Sequence, residues 1–384
     1  MPTYFYLSFS MSKLPSVIVF SILLFQTLFS PAIVACEDDP CVTEMLSEAK
    51  QYRWMHWISA LSGAVPIRTE QGLARIQTRS SLVLFEPDFT PSAFDYLITE
   101  LEKLGFVKEE DFHIHTYNFP YGDRYPHRNW KNIILTFPGQ DPILKNERVL
   151  LVAHFDSTSE QEYTLAPGAD DNASGTAGLL EAAALLRHYR FERTIHLVWF
   201  SGEEKSRVGS DYFVKDYADW LPEIVGVINL DMFAFDRDND RCFEIHAGTL
   251  PGSHDIGNCF GTVIDEYNLD LTYDFIDDDT SYIFSDHYYF WKNDVPAVMI
   301  LENSFYQAGK TCGTSDWNPG YHTISDTVIN INADTGFSIV KAVIGTIAHL
   351  AQPLNPCSTL DLKGETYCND KVLQLEWLCI KMFK

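Results

Sequence analysis

Val149-Leu150-Leu151-Val152-Ala153-His154-Phe155-Asp156 is an apolar run that ends in a histidine and a carboxylate. Five apolar residues in a row, without alternation, predict a strand buried on both faces. The design recurs twice. Residues 194–200 lead into Ser201-Gly202-Glu203-Glu204, and residues 225–230 into Asp231-Met232. Shorter strands are expected at 132–137 and 297–301. Between them lie stretches with helical spacing. Residues 91–104 place Phe94, Leu97, Ile98, Leu101 and Leu104 at intervals of three and four. Residues 174–188 are rich in Ala and Leu, and further helices are expected at 42–62, near 254–267, across 284–293 and over 335–350. Strands alternating with helices predict an α/β fold, a three-layer α/β/α sandwich with a mostly parallel mixed central sheet. Ligands of such sheets collect beyond the carboxyl ends of the strands, where these polar clusters fall.

The chain is expected to hold a signal peptide over 1–35, an N-terminal helical extension over 36–84, one catalytic domain over 85–352 and a Cys-containing C-terminal extension over 353–384. Lys13, an apolar run over 17–29 and Ala32-Ile33-Val34-Ala35 form the basic, apolar and cleavage-site regions of a secretory signal, with Met11 a candidate start. Ile33-Val34-Ala35-Cys36 also resembles a bacterial lipoprotein processing site, which would put a lipid anchor on Cys36. The plainer reading makes Cys36 the first mature residue, bridged to another thiol. Eight cysteines (36, 41, 242, 259, 312, 357, 368, 379) allow full pairing in an oxidising compartment, with connectivity left open. No later segment is long and apolar enough to cross a bilayer. A net charge of −25 argues against nucleic acid and anionic membranes as partners.

Five clusters carry chemistry. His154 stands two residues before Asp156, so one ring nitrogen can be held by the carboxylate while the other faces a metal. Gly168-Ala169-Asp170-Asp171-Asn172-Ala173-Ser174-Gly175 surrounds two carboxylates with small residues before a helix, which lets a metal approach the backbone; an acidic helix cap is the ordinary alternative. Glu203-Glu204 are adjacent carboxylates that repel unless a cation or proton offsets them. Such a pair suits a division of labour, one binding metal and the other moving protons. Asp231 and Tyr321-His322-Thr323-Ile324-Ser325-Asp326 complete the set. Two histidines and three carboxylates make a mixed nitrogen and oxygen set suited to zinc.

These clusters, with these local sequences and in this order, resemble the M28 family of zinc peptidases over residues 85–352, and most of all its secreted bacterial leucyl-type aminopeptidases. The resemblance implies two Zn2+ ions per chain. Asp171 would bridge them, with His154 and Asp231 on one ion and Glu204 and His322 on the other. It makes Glu203 the general base, Asp156 the partner that orients His154, and Tyr282 the residue that hydrogen-bonds the reacting carbonyl oxygen. It also implies a cis peptide bond after Asp171. Peptides with uncharged or apolar first residues would be the substrates of a secreted, monomeric enzyme, and Met232, Met299, Leu301, Phe305 and Tyr321 fall where a side-chain pocket would lie. Core packing is the alternative for these residues, Met299 and Leu301 above all.

The sequence departs from the family at Thr280 and Phe284, where bacterial relatives often carry a Cys pair, at Ser206-Arg207, where Gly-Leu is common, and in the longer 305–321 segment. Three rival readings share the fold. A glutaminyl cyclase would work with one zinc and tends to carry Asp-Ser where Asp171-Asn172 stands. A carboxypeptidase needs an Arg cluster for the substrate carboxylate, and only Arg207 and Arg237 lie near the motifs. A noncatalytic ectodomain would have lost ligands, and all five remain, with the base.

Overall fold

The structure, a computed structural model, describes residues 36–86, 91–120, 129–304 and 311–354. The expected signal over 1–35 lies outside these residues, as do Phe305, Cys357, Cys368 and Cys379. Helices α1 (Pro40–Glu48) and α2 (Gln51–Leu61) come first, then a hairpin of β1 (Ile67–Thr69) and β2 (Gly72–Ala74), and α3 (Ala93–Lys103). Next follow β3 (Phe112–Asn118), β4 (Asn129–Phe137), β5 (Arg148–His154), α4 (Gly175–Leu186), β6 (Thr194–Phe200), α5 (Val208–Asp216) and β7 (Ile224–Leu230). The order closes with β8 (Cys242–His246), α6 (Pro251–Glu266), β9 (Thr272–Ile276), α7 (His287–Trp291), β10 (Ala297–Glu302) and α8 (Ala333–Ala351).

Eight strands form one sheet in the order β3-β4-β6-β5-β7-β10-β8-β9. Of its seven pairings four are parallel and three antiparallel. The parallel block β6-β5-β7-β10 is the centre, as expected for strands without apolar alternation. Side chains along a strand alternate between faces. Leu150 and Val152 of β5 join Val198 and Phe200 of β6 in a core with Phe213 of α5 and Phe290 of α7. Helices α4 and α8 cover β5 and β6 from the other side. The result is the three-layer sandwich.

Helix α4 is buried along its whole length, which explains an Ala-rich and Leu-rich sequence with no polar face. Its one charge, Glu181, is fully buried and paired: Arg53 of α2 reaches it at 2.6 Å through Nε, and the Lys50 N–H donates to it at 2.7 Å. A buried carboxylate is tolerable only with such partners. Residues 36–84 pack into the same unit. The Trp54 indole N–H donates to the Ser174 carbonyl at 3.0 Å, and its ring stacks on Phe233.

Three sheet strands, β3, β8 and β9, and helix α5 were not expected. In β8 the apolar pattern is broken by Glu244 and His246, both fully buried and paired with each other at 2.9 Å. The helix expected over 284–293 is confined to α7, because residues 281–286 leave helical geometry to bring Tyr282 and Ser285 to the strand ends.

Cys36 is bridged to Cys259 of α6 and Cys242 to Cys312, and Cys41 is also disulfide-bonded. In this structure the Cys36 sulfur is bridged to another thiol, the plainer of the two readings of that residue.

Candidate metal centre

Strands β5, β6 and β7 are adjacent and parallel, so their carboxyl ends deliver side chains to one place. His154 ends β5, Glu203 and Glu204 follow β6, and Asp231 follows β7. Asp171 lies in the turn before α4, and the peptide bond after it is cis, as the family resemblance implies. His322 comes from the loop before α8.

The two oxygens of Asp171 face different groups. Oδ1 lies 3.3 Å from His154 Nε2, which lies 3.2 Å from Asp231 Oδ1. Oδ2 lies 3.2 Å from His322 Nε2, which lies 3.0 Å from Glu204 Oε2. In each set of three residues the ligand atoms fall within 4.8 Å of one another. The second ring nitrogen of His154 faces Asp156, at 3.2 Å from its carbonyl oxygen and 3.5 Å from Oδ1.

Electrostatics explains why these groups need a cation. Burial opposes charge on both histidines, yet the carboxylates outweigh it. His154 is held well above the usual imidazole range, chiefly by Asp231, and His322 is pushed up to about 11 by Asp171 and Glu204. Burial would raise Asp171 too, but the two histidines pull it below the usual carboxylate range. Glu204 is pushed up to about 7 by burial and by the charge of Asp171. Glu203 is carried well above the carboxylate range by burial, with His154 opposing and Asp231, Asp286 and Glu204 adding to the rise. Glu204 Oε1 is buried with no hydrogen-bond partner. A buried orphan acceptor is costly unless something positive meets it. The donor chemistry and this orphan oxygen fit a divalent metal such as zinc.

Several supporting residues carry no signal in their local sequence. Asp326, quoted within the fifth cluster without a role, accepts from the N–H groups of Asp170 and Asp171 at 3.2 and 3.0 Å and so fixes the metal turn. Asn318 donates to Asp326 at 2.9 Å. Ser285 donates to Asp231 Oδ2 at 2.5 Å and accepts from Asn229 at 2.7 Å. Arg79 is fully buried and donates to the carbonyls of Leu61, Phe155, Pro167 and Gly168. Ser81 donates to Asp156 and accepts from the Gly202 N–H, both at 2.9 Å.

Met232, Met299 and Leu301 form a buried apolar cluster against which Tyr282 and Tyr321 pack, half-buried. Tyr282 is pushed up to about 12 by burial and by Asp231, Glu203 and Asp171, so it keeps its proton and can donate. Tyr321 stacks on the His322 ring at 3.7 Å. Phe305, the remaining pocket expectation, lies outside the described residues. Arg207 lies against the rings of Phe284, Tyr288 and Tyr289 and donates to the Ile283 carbonyl at 2.5 Å.

A mixed α/β sheet with histidines and carboxylates gathered beyond the carboxyl ends of its parallel strands defines the class, an α/β protein with a candidate metal centre. Residues 132–347, more than half of the chain, match the model of peptidase family M28, and the chain belongs to that family. It is 28% identical over 248 residues to "Probable leucine aminopeptidase 1" of Trichophyton verrucosum, covering 58% of this chain and 59% of that one. It is also 28% identical over 232 residues to "Leucine aminopeptidase 1" of Trichophyton equinum, covering 58% of each. The chain thus spans less than two thirds of the length of these curated relatives. Among solved structures, LapA aminopeptidase of Legionella pneumophila superposes with TM-score 0.60 at 20% identity, over 81% of this chain and 74% of that one. A glutaminyl cyclase of Macrostomum lignano gives 0.61 at 18% identity, over 86% and 100%. These two likenesses show the fold that the three proteins share.

Proposed function

We propose that this protein is a secreted aminopeptidase that holds two zinc ions and hydrolyses the first peptide bond of peptides with uncharged or apolar first residues. The observation that carries the proposal is the Asp171 carboxylate, whose two oxygens meet two separate ligand sets. His154 and Asp231 would share one ion with Asp171, and Glu204 and His322 the other. Bound zinc supplies Lewis acidity, polarising the scissile carbonyl and acidifying water.

The chain's own residues do the rest. Glu203, next to the ligand Glu204 but in neither ligand set, would take a proton from water and pass it to the leaving amine. Tyr282, protonated and packed beside the pocket, donates a hydrogen bond to the oxygen where charge develops. Asp156 orients His154. Residues 85–352 carry the ligands and base, and residues 36–84 brace them through Arg79 and Ser81. The surplus of carboxylates suits a cationic amino terminus, and the Met232, Met299 and Leu301 cluster with Tyr321 suits an apolar side chain. The aromatic rings and carbonyl that engage Arg207 argue against its gripping a substrate carboxylate. Disulfides support an oxidising compartment. Among the described residues no helix is long and apolar enough to cross a membrane.

The test combines metal analysis with amino-acid amides, carboxypeptidase substrates and an amino-terminal glutamine peptide on one preparation. Two zinc ions per chain with release of apolar first residues supports the proposal. One zinc with cyclisation of the glutamine peptide would assign the chain to the cyclases instead. Cleavage only after Lys or Arg would overturn the pocket reading.

A further inference from the structure

The loop between β7 and β8 reads Phe235-Asp236-Arg237-Asp238-Asn239-Asp240-Arg241, with carboxylates at alternate positions. It meets Asp316, on the segment that leads to His322. Carboxylate oxygens of Asp236, Asp238 and Asp316 lie within 4.8 Å of one another. Two oxygens bound to one calcium ion at ~2.4 Å can stand no more than about 4.8 Å apart, so the three fit around a single ion.

Acidic clusters on a surface are common, and this one differs in its buried member. Asp236 is only 6% exposed. Its Oδ2 accepts from Thr335 Oγ1 at 2.5 Å and from Asn332 Nδ2 at 3.1 Å. Its Oδ1 is buried with no hydrogen-bond partner. Among the described residues no Lys or Arg forms an ion pair with any of the three. Asp240 beside them is raised above its ordinary value, first by burial and then by the charges of Asp238, Asp236 and Asp316. A buried carboxylate with one oxygen lacking a donor, close to two further carboxylates, concentrates negative charge that a cation would offset. Asp236, Asn239 and Asn332 also line an open cleft of about 390 Å³.

We propose that Asp236, Asp238 and Asp316 form a calcium site, separate from the zinc ligands, that clamps the β7–β8 loop to the segment preceding His322. An all-oxygen set of carboxylates suits a hard cation, and a site of irregular geometry carried on loops suits the larger Ca2+ over Mg2+, which demands a near-ideal octahedron. The clamp has a covalent companion, since the Cys242–Cys312 disulfide joins the same two stretches of chain. Asp316 already accepts from the N–H groups of Arg237 and Asp238, at 2.7 and 3.1 Å, so the two halves are aligned by the backbone. Two residues beyond Asp316, Asn318 bonds to Asp326 under the metal turn, so the site braces the floor of the zinc centre from behind.

The test uses the zinc-loaded protein in calcium-free buffer, titrated with CaCl2 by calorimetry and followed by thermal melting, with zinc content measured throughout. One Ca2+ per chain and a rise in Tm are expected. Asp238→Asn and Asp316→Asn should each weaken Ca2+ binding at least about tenfold, as loss of one charged ligand implies, while zinc content stays unchanged. In calcium-free buffer Asp238→Asn should melt no lower than wild type, because it relieves repulsion; this separates a lost ligand from a damaged fold. No heat and no Tm rise up to about 10 mM Ca2+, well above the range of extracellular sites, would overturn the proposal. So would undiminished binding in both variants, or an equal response to Mg2+.

Discussion

Glu203 and Glu204 are neighbours in sequence with different surroundings. Glu204 lies 3.0 Å from His322 within a ligand set, whereas Glu203 is in neither set. Glu203→Gln should therefore keep the zinc content of the wild type and lower kcat by about 10²–10⁴; loss of zinc on metal analysis would move the base elsewhere. Arg79 acts through four carbonyls from three stretches of chain. Arg79→Met leaves those acceptors buried and unmet beside the carboxylates, and should destabilise the protein by about 3–5 kcal/mol in denaturant unfolding. His154, Glu204 and Asp231 were legible because each ends or follows an apolar run, and Asp171 and His322 through local sequences that resemble the family. Arg79 and Ser285 were not, because their partners lie far away in sequence, 89 residues away for Arg79 and Gly168 and 54 for Ser285 and Asp231.

At the scale of elements, the central strands show how burial is bought with pairing. His196 on β6 is buried between β4 and β5, 3.0 Å from Thr136 and 2.9 Å from Arg148, and stacked on Trp220. Its nitrogen facing the guanidinium must accept, so the ring is neutral. Burial first, and then the Arg148 charge, push its pKa down to about 3. The unfolded value is about 6.5, so the folded state disfavours the proton. This contribution to stability is complete above pH ~6.5 and is lost as the pH falls from there towards 3. His196→Gln should lose about 2–3 kcal/mol less than wild type between pH 7 and pH 4.5, read from urea midpoints at each pH. The strands β5, β6 and β7 were readable as unbroken apolar runs. Strand β8 was not, since its buried Glu244 and His246 look like surface residues until each is seen to satisfy the other.

At the scale of the whole molecule, the bond between Cys36 and Cys259 closes 223 residues of chain. Long closed loops restrict the unfolded chain most, so replacing both cysteines by serine should cost about 2–5 kcal/mol, measured by chemical denaturation with zinc content held constant. The layered α/β fold could be read from alternating runs, whereas the pairing of the cysteines could not. Nothing in local sequence ties residue 36 to a helix more than two hundred positions later.

Asp171 serves two ligand sets with one carboxylate. In the two-zinc centre proposed above, the two ions would share a common intermediary, so their affinities would be linked and each would alter the other's by the same factor. Loading of that centre would be a single coupled equilibrium. A half-filled protein would be a distinct species with its own metal affinity, and neither ion's dissociation constant would be a property of one site alone.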